Sequence, residues 1–241
     1  MSNLLATAYA ALGAGMLGLV PVLIWLGFWL FEDWEHPEPR MRLLFAFLTG
    51  MLAVAVVLPF QKVASDMLPL GFGLLAIWAL IEEVAKFGLA WLLVLRNRAV
   101  DEPMDMVIYM ITVALGFAAL ENTLFLITPF FEHAALEGAI TANMRFIGAT
   151  LIHVLGSAVV GAALGFTYFR TRSEKITYIG IGLILATSLH ALFNFLIITT
   201  GAGTVLTVFL GVWVGIISIL LALERIRLLR PPAWWERITL N

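Results

Sequence analysis

The chain has 241 residues, of which 62% are hydrophobic and 12% charged, with a formal net charge of −2 and a mean hydropathy of +1.01. Soluble domains carry about 25% charged residues, so the composition excludes an ordinary soluble enzyme, a disordered regulator and, lacking any basic excess, a nucleic-acid binder. There is no cysteine, which excludes thiol catalysis, disulfides and Cys-ligated metal.

The apolar residues fall into long runs separated by short charged stretches, the pattern of a polytopic membrane protein. A bilayer core needs about 20 mostly apolar residues as helix. Seven runs qualify in chain order, roughly 4–31, 41–60, 68–95, 106–131, 144–169, 176–200 and 204–223. Lipid offers no water to backbone groups, so each run must be helical. The expected fold is all-α: a single transmembrane domain over 1–241, with spans three to six, about 70–195, as its chemical core. The first run lacks a basic leader and exceeds the roughly 7–15-residue apolar core of a signal peptide, so it is read as a span.

Lysine and arginine set the expected orientation. Eleven of the 14 fall on one side of the seven spans, from Arg40 and Arg42 to the Arg225–Arg237 tail, whereas Lys62 and Arg145 alone are assigned to the other side. Positive charge stays cytoplasmic, which places the amino terminus outside and the carboxyl terminus in the cytoplasm. Trp34, Trp234 and Trp235 fall near the interfaces, where indole is favoured. His36 and His133 are read as solvated loop residues. Asp105 is read as a helix cap or a headgroup contact. Gly161-x-x-x-Gly165 and Gly211-x-x-x-Gly215 are read as small-residue packing faces.

The spans contain ionisable residues that lipid does not tolerate without a reason. Glu82, Glu83 and Lys86 share one turn of the third span, Glu121 and Asn122 lie in the fourth, His153 in the fifth, and His190 and Asn194 in the sixth. A charged residue at a helix centre costs about 2.5–3.5 kcal/mol on insertion scales, so these groups are expected to face a common polar interior. At about 1.5 Å rise per residue, Glu83, Glu121, His153 and His190 each lie roughly 20–25 Å from the cytoplasmic end of their span. Glu82 and Lys86 are i, i+4, the favoured order for an ion pair. Glu83 is i, i+3 from Lys86 and also within reach, so one carboxylate is expected to neutralise Lys86, with Glu82 the better-spaced partner, and the other to remain free. Three carboxylates and one ammonium give the cluster a formal charge of −2, which a divalent cation would balance. Two neutral histidines with one carboxylate and a water form a known catalytic zinc set.

Glu82-Glu83-x-x-Lys86, Gly116-Phe117-Ala118-x-x-Glu121-Asn122, the membrane His153 and His190-Ala-Leu-Phe193-Asn194 together resemble the PrsW family of intramembrane proteases. The resemblance runs through spans three to six in the family's order. It is similar at one remove to the CAAX prenyl endopeptidases and bacterial Abi proteins, from which Lys86 and the Glu121-Asn122 pair depart. It implies a metallopeptidase that cleaves a membrane-anchored protein, typically an anti-sigma factor, on the extracytoplasmic side. On that reading Glu121, His153 and His190 hold a divalent metal, expected to be Zn²⁺. Glu83, or Glu82, acts as general base, Lys86 orients a glutamate and Asn194 donates to the oxyanion. The rival readings are a proton- or cation-coupled transporter using the same acids and a glutamate–histidine protease without metal. No His-Glu-x-x-His is present, all four aspartates lie outside the spans, and no Gly-x-Ser-Gly accompanies Ser157, so the other intramembrane protease chemistries are excluded.

Overall fold

Helices account for every regular element among the described residues, which in this computed structural model are 2–32, 38–97, 99–131, 140, 142–199 and 202–232. They are α1 (Ser2–Glu32), α2 (Arg40–Met67), α3 (Phe72–Ala90), α4 (Asp105–Phe131), α5 (Thr150–Phe166), α6 (Arg172–Thr199) and α7 (Ala202–Arg227). Two wide π turns extend this set: Trp91–Leu95 continues α3, and Arg145–Ala149 leads into α5. Six of the helices are long and apolar enough to cross a membrane. The exception is α3, whose 19 regular residues carry Glu82, Glu83 and Lys86 in one turn. The protein is a multi-pass membrane protein, and α3 is set apart by its three charged residues.

The boundaries depart from the sequence pattern at the second turnover of the chain. Gln61 and Lys62 end the apolar run at Phe60, yet α2 continues to Met67. The stop is imposed by Pro69, which pushes the preceding residue out of the helical region. Leu68 accordingly adopts φ −126°, ψ 138°, and α3 starts at Phe72 rather than at 68.

The centre of the bundle is α4, which packs against α1, α2 and α5; α5 in turn packs on α6 and α7, and α3 closes the assembly between α2 and α6. Almost every side chain of α4 between Val107 and Ala119 is buried. In lipid, close packing replaces the hydrophobic effect as the force between helices, and glycine makes that approach possible. A Cβ on Gly116 would lie 1.9 Å from the Phe47 carbonyl oxygen, and one on Gly50 would lie 1.9 Å from that of Val113. Helices α2 and α4 thus touch backbone to backbone. Gly161 and Gly165 do the same against the Val107 and Pro103 backbones, as the small-residue pattern implies. The second such pattern holds only in part: Gly215 faces Leu155, while Gly211 has nothing within 4 Å. Asp105 is buried, and its Oδ2 accepts from the Asp101 and Glu102 amides at 2.8 Å each; it orders the loop that leads into α4 and neither caps the free amides of that helix nor meets headgroups. His36, His133, Trp34, Trp234 and Trp235 lie outside the described residues.

Gly116→Ala is therefore expected to lower stability by about 1–3 kcal/mol, the usual cost of overpacking. Gly211→Ala should be neutral or slightly stabilising, since alanine is the better helix former. Thermal unfolding of the two variants in detergent measures the contrast.

Candidate active site

Four helices deliver the expected polar residues to one buried cluster. Helix α3 supplies Glu82, Glu83 and Lys86, α4 supplies Glu121 and Asn122, α5 supplies His153, and α6 supplies His190. Lys86 has no exposed surface, and Glu82, Glu83, His153 and His190 are all buried.

An ammonium can only donate hydrogen bonds and a carboxylate can only accept them, and these two facts order the rest. Lys86 Nζ donates to Glu83 Oε1 at 2.6 Å and to His153 Nδ1 at 3.2 Å. His153 Nδ1 must then carry its lone pair, and Nε2 its proton, which is donated to Glu121 Oε2 at 3.0 Å. Glu83 Oε1 also accepts from His190 Nδ1 at 2.9 Å, so the His190 lone pair lies on Nε2. The two imidazoles meet edge to face at 4.8 Å between centroids. Glu82 Oε2 lies near both of these nitrogens, 3.9 Å from His153 Nδ1 and 3.7 Å from His190 Nε2, with the His153 lone pair taken by Lys86.

Lys86 pairs with Glu83, not with Glu82 as the i, i+4 spacing suggested. Both spacings reach on a helix, and the partners on other helices decide between them. His190 joins Lys86 on Glu83, while Gln61 of α2 donates to Glu82 Oε1 at 2.7 Å and holds that carboxylate away from the lysine.

Arg145 is a second surprise. It belongs to the π turn before α5, not to an outer loop, and its guanidinium forms an ion pair with Glu121 Oε2. Its Nε donates to Asn122 Oδ1 at 2.5 Å, its guanidinium lies 4.0 Å over the Phe125 ring, and Asn122 passes the network to Thr150 Oγ1 at 3.0 Å. The cluster therefore holds three carboxylates and two cations, leaving one negative charge in place of the two expected. Asn194 is half-buried one turn beyond His190 and makes no hydrogen bond to another described residue.

Glu82, His153 and His190 each offer one ligand atom, and these lie within 4.8 Å of one another. Tetrahedral zinc with bonds of about 2.0–2.2 Å sets its ligand atoms roughly 3.4 Å apart, close to the 3.7 and 3.9 Å separations seen. Glu82 Oε2 is buried with no hydrogen-bond partner. A buried carboxylate oxygen with no donor, beside the free His190 lone pair, costs free energy unless something positive binds there, so the residues present fit a divalent metal that takes the place of Lys86 at His153 Nδ1.

Residues 38–222 match the model of the PrsW family intramembrane metalloproteases. The chain belongs to the PrsW family. It is similar to the protein named Protease PrsW of Geobacillus kaustophilus (strain HTA426), with 29% identity over 185 residues, covering 75% of this chain and 78% of that relative. The corresponding protein of Bacillus subtilis (strain 168) is 26% identical over 184 residues, covering 75% and 80%. That of Clostridioides difficile (strain 630) is 22% identical over 193 residues, covering 76% and 78%. No solved structure matches the chain. This PrsW-family protein is thus an intramembrane peptidase.

The pairing makes a prediction about stability. Glu83→Ala strips Lys86 of its counter-ion in a dry interior and should cost about 3–5 kcal/mol. Glu82→Ala leaves the Lys86–Glu83 pair intact and should unfold close to wild type. Melting curves of the two purified variants check this order, which is the reverse of the one spacing alone implies.

Proposed function

We propose that this PrsW-family protein is a metal-dependent endopeptidase that cleaves a single-span membrane protein near its outer boundary, with an anti-sigma factor as the substrate class. The observation that carries the reading is the unpartnered Glu82 Oε2, 3.9 Å from His153 Nδ1 and 3.7 Å from His190 Nε2. Glu82, His153 and His190 would hold the ion, and zinc suits two imidazoles and a carboxylate. When bound, it supplies a water of lowered pKa and polarises the scissile carbonyl.

The remaining residues then have distinct tasks. Glu83 and Glu121 each fix one imidazole by accepting its N–H, the carboxylate–histidine arrangement typical of metal sites. Glu121 serves His153 in that role rather than as a ligand. Glu83 Oε1 takes both Lys86 and His190, and its Oε2 has no partner, so Oε2 is the atom available for proton transfer. Lys86 keeps Glu83 ionised. Asn194, with its amide uncommitted, is the candidate donor to the oxyanion. The same groups without a metal make a second reading, a glutamate–histidine pair activating water. The 3.2 Å contact of Lys86 with His153 Nδ1 favours that alternative, because it occupies one proposed ligand atom.

Two observations support access from outside. The Lys and Arg bias supports an amino terminus outside and a carboxyl terminus in the cytoplasm. On that orientation the side of the cluster nearest the outer surface is also its most exposed: the Arg145 and Glu121 side chains retain 14% and 18% of their surface, against 2% and 5% for His153 and Glu82.

Cleavage of a tagged single-span substrate by purified protein, with and without chelator, tests the chemistry. Wild type should contain metal and lose turnover on chelation. Glu82→Gln, His153→Gln and His190→Gln should lose metal and turnover together. Chelator-resistant cleavage by metal-free protein would replace the metal by the glutamate–histidine pair, and full cleavage by a Glu82/Glu83 double variant would refute both readings. Single cysteines introduced at Ser2 and Ser173, in a chain with no native thiol, should label from opposite sides of the membrane.

A further inference from the structure

One side chain in contact with the cluster belongs to none of its motifs. Gln61 stands on α2, two residues past Pro59, in the stretch that the apolar pattern does not include in the span. Its amide Nε2 donates to Glu82 Oε1 at 2.7 Å, and this is the hydrogen bond recorded for the Glu82 carboxylate. The other oxygen, Oε2, has none and faces His153 and His190.

We propose that Gln61 is a positioning residue of the hydrolytic reaction: by anchoring Glu82 Oε1, it turns Oε2 toward His153 Nδ1 and His190 Nε2. The inference rests on the Glu82–His153–His190 reading given above. A buried carboxylate on a helix rotates about its side-chain bonds unless a neighbour fixes it, and misplacement of a reacting group by as little as 1 Å is costly. His153 is fixed by Lys86 and Glu121, and His190 by Glu83. Gln61 gives Glu82 the same service, so each of the three groups has its own orienting partner. An ionised Glu82 requires a donor on Oε1, and a neutral amide supplies one without adding charge or competing for the metal.

The contact is not needed to hold α2 against α3. The Gln61 backbone carbonyl, not its side chain, accepts from Trp78 Nε1 of α3 at 3.1 Å, and its bond from Ser65 Oγ at 2.8 Å lies within α2. These bonds survive any change of side chain. Gln61 is also only half-buried, so its replacement leaves no sealed cavity. The side-chain amide is therefore separable from the fold, and its loss should read out at Glu82.

The experiment compares wild type with Gln61→Met, which keeps the length and removes the donor, and with Gln61→Glu, which sets a second carboxylate against Glu82. Zinc affinity is measured by competition with a chromogenic chelator, kcat and KM on the tagged substrate across a zinc titration, and thermal unfolding on zinc-free protein. Gln61→Met should bind zinc about 10–100-fold more weakly, the usual cost of removing a metal site's orienting partner. It should recover kcat as zinc is raised and unfold at the wild-type temperature. Gln61→Glu should not recover. Zinc affinity and kcat of Gln61→Met indistinguishable from wild type overturn the proposal, as does an equal loss of thermal stability with no change in zinc affinity. Wild-type protein that binds no zinc yet cleaves overturns the metal reading instead. A fall in kcat at unchanged KM in Gln61→Met then sustains the role of Gln61 on Glu82, and unchanged kcat removes it.

Discussion

The ammonium of Lys86, wholly buried in a helix bundle that lipid surrounds, sets the constraint on which the rest of the cluster depends. Such a charge persists in a dry interior only with a counter-ion and hydrogen bonds around it. Glu83 supplies the counter-ion at 2.6 Å, and its commitment fixes what its neighbours can do. With Glu83 Oε1 shared between Lys86 and His190, Glu82 is left facing the histidines from the same helical turn. The second Lys86 hydrogen bond assigns the His153 lone pair to Nδ1, and the Glu83 bond assigns that of His190 to Nε2. A single buried cation thus determines two tautomers and the direction of two lone pairs.

The fold keeps these groups at one level by backbone contact. Side chains between α2 and α4 would separate the helices by several Å, and Gln61, Glu82 and Glu121 could not then approach a common centre. Gly50 and Gly116 remove that spacer. Gly156 has a similar task inside the cluster: a Cβ there would lie 3.2 Å from Glu83 Oε2, so the glycine lets the Glu83 carboxylate rest against α5 one turn past His153. The π turn at Arg145–Ala149 widens the backbone where Arg145 reaches across to Glu121, a placement of π-helical turns often found at functional sites.

Much of this was legible in the sequence because lipid is an unforgiving solvent. Seven apolar runs could only be helices, and carboxylates, a lysine and histidines within them could only face one another. Glu82, Glu83, Lys86, Glu121, His153 and His190 were identified on that ground, and the structure gathers them. What stayed hidden depends on contacts between helices distant in sequence. Spacing along α3 favoured Glu82 as the partner of Lys86, but His190 and Gln61, more than 100 and 21 positions away from their glutamates, reverse the choice. Arg145 looked like an outer-loop charge because it begins an apolar run. Gln61 looked like the end of one because two polar residues follow Phe60. Its signal was present in weaker form: a polar residue a few positions before a proline-defined turn still belongs to the helix.

The central claim is that Glu82, rather than Glu121, completes a metal site with His153 and His190. X-ray absorption at the zinc edge, on wild type and on Glu82→Gln and Glu121→Gln, tests it directly. The account predicts two imidazole ligands with oxygen donors in the wild type, a changed ligand shell or lost metal in Glu82→Gln, and an unchanged ligand set with weaker binding in Glu121→Gln. Zinc whose ligand shell is untouched by Glu82→Gln but altered by Glu121→Gln would contradict it.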